Sequence, residues 1–128
     1  MPNGEQCRAV ILTAIPPEYQ AVRAPLADLH KERHKQGTIY QQGKFIAENQ
    51  IWDVIIVETG VGNVFTAVEA ERAINHFDPS IVLFVGVAGG LKDVKLGDVV
   101  VASQVYAYDF GKAEATYQTR PKVGIPAY

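Results

Sequence analysis

Four short apolar runs punctuate the chain: Ala9-Val10-Ile11-Leu12, Val54-Ile55-Ile56-Val57, Ile81-Val82-Leu83-Phe84-Val85 and Val99-Val100-Val101. They are continuous rather than alternating and rich in β-branched residues, the pattern of strands covered on both faces. The stretch from Thr38 to Ala47 is different, with Ile39, Phe45 and Ile46 set among polar residues. It predicts a hairpin with the Trp52 segment across a turn near Glu48-Asn49-Gln50.

Two helical periods lie between these runs. Tyr19, Val22, Leu26 and Leu29 are spaced to share one face, Pro16 and Pro17 suit a first helical turn, and Pro25 kinks or ends the element. The second period is cleaner: Ala67, Ala70, Ile74 and Phe77 share a face, Asn63 can cap the start, and Asp78-Pro79 ends it. The order strand, helix, hairpin, helix, strand, loop, strand predicts a three-layer α/β/α sandwich with a mixed central sheet. Residues 107–128 have no sustained period and read as an irregular tail of one domain spanning 1–128.

Composition narrows the function classes. The chain has 128 residues, 48% hydrophobic and 20% charged, with a net charge of −2. One core is all that such a length supports. The charge balance gives no basic stripe for a phosphate backbone, so no nucleic-acid partner is expected. The longest apolar runs fall far short of a membrane span, and Met1 to Gln6 is polar. The single cysteine, Cys7, excludes an internal disulfide framework, so a soluble cytoplasmic domain is the expected setting.

Three strand exits carry the candidate chemistry, because ligands of open α/β sheets bind at the carboxyl ends of strands. The first is Thr13-Ala14-Ile15-Pro16-Pro17-Glu18, which puts a carboxylate in a helix's first turn; electrostatics alone also favours an acid there. The second is Glu58-Thr59-Gly60-Val61-Gly62-Asn63-Val64-Phe65, whose glycines let the backbone approach a ligand or simply make a tight turn. A dinucleotide fingerprint would need a third glycine where Phe65 stands. The third is Val85-Gly86-Val87-Ala88-Gly89-Gly90-Leu91, small residues that leave room for a flat ligand or form a Gly-Gly turn. Other features point to no chemistry. His30 and His34 stand one helical turn apart without a third ligand, so no metal site is expected. His76 suits a helix C-terminus, Lys31, Arg33 and Lys35 suit a solvated face, and Tyr40 and Trp52 suit a core or an interface.

Taken in order, Ala14-Ile15-x-x-Glu18, Thr59-Gly60-Val61-Gly62 and Gly86-Val87-Ala88-Gly89-Gly90-Leu91 resemble the nucleoside phosphorylase/uridine phosphorylase superfamily. Leu96-Gly97-Asp98-Val99-Val100-Val101 is similar to the family's next strand. The nearest activity is that of the methylthioadenosine/S-adenosylhomocysteine nucleosidases. The run from Val85 to Lys112 looks most like family versions fused to bacterial defence or signalling proteins.

The resemblance implies a hydrolase of the N-ribosidic bond of a purine nucleoside or nucleotide, acting without a cofactor, with Glu18 activating the attacking water. Ala14 and Ile15 would line the ribose or 5′ side, and Ala88 and Gly89 would run along purine and ribose. Gly62 and Val87 complete the implied substrate-binding set. The family's hydroxyl-bearing residue is replaced by Val87, whose side chain cannot donate a hydrogen bond, which favours water over phosphate as the nucleophile. The resemblance also implies a homodimer. It implies further that the base-binding residues and the general-acid aspartate belong to a later half beyond Tyr128, neither Asp98 nor Asp109 matching that acid. A non-catalytic nucleoside-binding or oligomerisation module, and a phosphate-dependent phosphorylase, remain the alternatives.

Overall fold

The first apolar run forms the middle of β1 (Cys7–Thr13), with its side chains facing alternately to the two sides of a sheet. The computed structural model describes residues 7–105, 111–113 and 117–119. Two units make up the chain, Met1–Val87 and Ala88–Tyr128.

In the first unit, β1 leads to α1 (Pro16–Arg23), then to β2 (Ala27–Arg33), β3 (Ile39–Ala47), β4 (Gln50–Glu58), α2 (Asn63–Phe77) and β5 (Ile81–Phe84). The sheet order is β2-β3-β4-β1-β5. β3 runs antiparallel to β2 and β4, whereas β1 is parallel to β4 and β5. The sheet is therefore mixed, as the pattern predicts. The hairpin is also as predicted, with Phe45 opposite Trp52 and Ile46 opposite Ile51.

Period-two alternation sorts the layers. Val10, Leu12, Tyr40, Ile55 and Val57 point to the side where Ala73 and Phe77 of α2 complete the core. Gln41, next to Tyr40, points to the other side, where it accepts a hydrogen bond from the Tyr19 hydroxyl of α1 (3.2 Å). Val10, Ile55, Ile56 and Val57 are almost wholly buried. Each such side chain contributes about 1.5–3 kcal/mol.

Several details correct the expected elements. α1 stops at Arg23, since Pro25 has no N–H to continue the ladder, and Leu26 and Leu29 lie beyond it. His30 and His34 are consequently not on a helix. His30 lies in β2, and His34 lies in the turn that joins β2 to β3, with its Nδ1 accepting from the Gln36 N–H (3.1 Å). Lys31 and Arg33 belong to the same exposed edge strand. α2 buries Val68, Ala73 and Phe77, while Ala67 and Ile74 face out. Its N-cap is Gly62, with Asn63 the first helical residue; Asp78, left-handed at φ 47°, ends it.

In the second unit, Val99-Val100-Val101 forms no strand: no ladder partner exists for it among the described residues, and these valines are 90%, 69% and 90% exposed. Asp98 lies in the turn before them, its carboxylate accepting from the Lys95 N–H (2.8 Å). Two short strands, β6 (Gly111–Ala113) and β7 (Tyr117–Thr119), pair antiparallel within the stretch read as irregular. Asp109 lies outside the described residues.

Candidate active site

Three parallel strands, β4, β1 and β5, end on the same side of the sheet. Their exits are stitched together by main-chain bonds. The Thr59 N–H donates to the Thr13 carbonyl (2.7 Å), and the Val85 N–H to the Leu12 carbonyl (2.9 Å). The predicted strand-exit motifs at 14–18, 59–62 and 85–87 thus begin side by side.

Glu18 sits at the centre of two of them. Pro16 and Pro17 start α1 immediately after β1, which places Glu18 one turn in, at the third helical position. Its Oε2 accepts from the Ala14 N–H (2.8 Å) and the Ile15 N–H (3.2 Å). Its Oε1 reaches across to accept from the Val87 N–H (3.0 Å), just past β5. The residue is only 8% exposed.

These contacts decide its charge. The Val87 N–H holds the Glu18 carboxyl below the usual carboxylate range; burial pulls the other way, and the Ala14 and Ile15 amides add to the lowering. An ionised carboxylate offers about four acceptor directions. Three are occupied by main-chain donors, which leaves one, on Oε1. The arrangement is a buried, fixed negative charge with one direction still able to accept a proton or a hydrogen bond.

The predicted site residues are brought together unequally. Ala14, Ile15, Glu18 and Val87 meet around one carboxylate. Val87 takes part through its main chain, and its side chain is 79% exposed. Gly62 stands at the neighbouring β4 exit, with φ 119°, and its carbonyl accepts from the Thr66 hydroxyl (2.9 Å). Ala88 and Gly89 open the second unit, and a side chain added at Gly89 would meet open space. Thr59 heads the second motif without an implied site role; its buried hydroxyl bonds the Thr13 carbonyl (3.3 Å) and the Thr66 hydroxyl (3.2 Å). Gly86 was legible only as part of a small-residue run, and it packs directly against Glu18.

Away from these exits, His34, Tyr40, His76 and Phe77 form an aromatic cluster, with Tyr40 and His76 stacked at 5.9 Å. His76 bonds the Glu32 carboxylate (2.6 Å), tying α2 to β2. Among the described residues, no group of three His, Cys, Asp or Glu side chains is placed to hold a metal ion. No helix among them is long and apolar enough to cross a membrane.

The model of the phosphorylase superfamily matches residues 8–128. A 5′-methylthioadenosine/S-adenosylhomocysteine nucleosidase of Colwellia psychrerythraea is 33% identical over 121 residues, covering 94% of this chain and 48% of the relative. One of Mycobacterium tuberculosis is 31% identical over 102 residues, 79% of this chain and 38% of the relative. Among solved structures, the Colwellia psychrerythraea nucleosidase in complex with adenine matches with a TM-score of 0.63 at 30% identity, over 73% of this chain and 37% of that one. A Helicobacter pylori futalosine hydrolase mutant matches with a TM-score of 0.57 at 26% identity, over 72% and 40%. The chain spans less than half the length of these relatives.

Proposed function

The chain belongs to the phosphorylase superfamily, and from that premise we propose that its site serves hydrolysis of the N-ribosidic bond of a purine nucleoside, with Glu18 activating the water. The observation that carries this reading is the Glu18 carboxylate, buried where β1 and β5 end and anchored by three main-chain amides. Such cleavage passes through a sugar with oxocarbenium character, so the water needs only modest activation. A carboxylate held ionised also stabilises positive charge developing on the ribose. The names of the relatives support an adenine nucleoside or its 5′-thio derivative as the substrate class, with an adenine nucleotide as the variant to test beside them.

Ala14 and Ile15, both half-buried at the β1 exit, are read as the wall on the ribose or 5′ side, and Gly62 as a main-chain contact to the ligand. Val87 offers no hydroxyl to a phosphate, which supports water as the nucleophile. A second copy of the chain is the expected protein partner, and a cytoplasmic, defence-associated setting the expected context. Free adenine released from adenosine, methylthioadenosine or ATP, without phosphate in the buffer, tests the reading. Turnover that requires phosphate would instead identify a phosphorylase.

One observation favours a second reading. Among the described residues all three hydrogen-bond partners of Glu18 are main-chain groups, so the carboxylate also works as a clasp between two strand exits, whatever the chemistry. A non-catalytic nucleoside-binding module would keep that clasp. Calorimetry separates the two: such a module binds adenine compounds with measurable heat and releases no adenine.

A further inference from the structure

Gly86 has an unusual neighbour. A Cβ built on it would lie 2.9 Å from Oε1 of Glu18, 3.2 Å from its Cδ and 3.4 Å from Oε2. Oε1 and Cδ therefore lie closer than a side chain at position 86 would tolerate, while Oε2 stands at ordinary contact distance. Gly86 is not among the glycines held at positive φ, so no left-handed backbone demands glycine here. Its main chain is set by its neighbours: the Val85 N–H is pinned to the Leu12 carbonyl, and the Val87 N–H donates to Glu18. What requires glycine here is the volume of the carboxylate.

We propose that Gly86 is a positioning residue: its missing side chain leaves the space in which the Glu18 carboxylate lies flat against the β5 exit, within reach of the Val87 N–H. A methyl group at this position pushes the carboxylate, which three main-chain bonds hold in place, away from the β5 exit and weakens the bond from Val87. The role acts through Glu18 and rests on the proposed function only for its catalytic consequence. The lowered pKa of Glu18, whose largest cause is the Val87 N–H, agrees with the geometry.

The test is a double-mutant cycle on the full chain, comparing Gly86→Ala with and without Glu18→Ala by thermal unfolding, since residues in contact reveal their coupling in this way. Gly86→Ala is expected to lower Tm by several degrees in the parent chain and to cost little once Glu18 is alanine. An equal fall in both backgrounds, or none in the parent, would overturn the proposal. NMR titration of the Glu18 carboxyl gives a second readout. In the parent chain the Val87 amide shift should follow that titration, and in Gly86→Ala the midpoint should rise and the Val87 response vanish. A folded Gly86→Ala protein with both unchanged would sink the idea, and if that variant does not fold, a Val87 amide deaf to Glu18 in the parent chain would do the same. Where adenine release is measurable, Gly86→Ala should lower kcat more than it changes KM and move the acid limb of the pH profile upward. Should Glu18→Gln retain full adenine release, the catalytic reading falls while the cycle still reports on Gly86.

Discussion

At residue scale, the consequences of Glu18's three amide contacts are measurable without any substrate. Glu18→Gln replaces one acceptor oxygen by an NH2 that cannot accept from a main-chain N–H, so at least one part-buried donor loses its partner. The expected cost is about 1–3 kcal/mol in denaturant unfolding. The pH dependence has a defined sign. Glu18 titrates below its ordinary 4.5 in the folded protein, whereas the unfolded chain titrates near the ordinary value. Its stabilising contribution is therefore fully present above that value and is lost as pH falls through the folded pKa. Acid unfolding curves should fall more steeply below pH 4.5 in the parent chain than in Glu18→Gln. Parallel curves would show that the three amides do not discriminate between the charged and neutral forms.

At the scale of elements, the strand exits depend on backbone conformations that specific residues permit. Gly62 caps α2 with φ 119° and ψ 151°, a region closed to residues with a Cβ. Gly62→Ala should destabilise the protein by about 1–3 kcal/mol, read as a lowered midpoint in urea; an unchanged midpoint would mean the turn relaxes freely. This turn was legible in the sequence, as were β1, the β3–β4 hairpin and the β5 run, because continuous β-branched runs and turn residues report local geometry directly. β2 was not legible. It is an edge strand whose Asp, His, Lys, Glu and Arg side chains are nearly all exposed, so it has no buried face to leave a period. Of the α2 stripe, Ala70 and Phe77 face the core as the period predicts, whereas Val68 and Ala73 are buried in place of Ala67 and Ile74, because the helix offers two overlapping apolar faces and only packing against the sheet chooses between them. Val99-Val100-Val101 has strand composition, but a strand also requires a ladder partner, which composition cannot supply. Of the site, Glu18 was visible from its place after a strand; the clasp from Val87 was not, since a main-chain N–H carries no sequence signal.

At the scale of the whole molecule, the apolar residues of β5 stand between 37% and 57% exposed, and among the described residues the strand pairs on one side only, with β1. An open apolar edge of this kind favours association. Sedimentation should show the chain self-associating with rising concentration, and Phe84→Lys should shift it toward monomer; a monomer throughout would contradict the homodimer expectation. The same scale decides the central claim, that a carboxylate fixed by main-chain amides at the β1 and β5 exits serves water-dependent cleavage of a purine N-ribosidic bond. The most direct measurement is free adenine released from methylthioadenosine in phosphate-free buffer by the full chain and by Glu18→Gln. The parent chain is expected to release adenine at a rate unchanged by added phosphate, and Glu18→Gln to release it at least about 100-fold more slowly. No adenine at high protein concentration, or equal release by the two proteins, would contradict it.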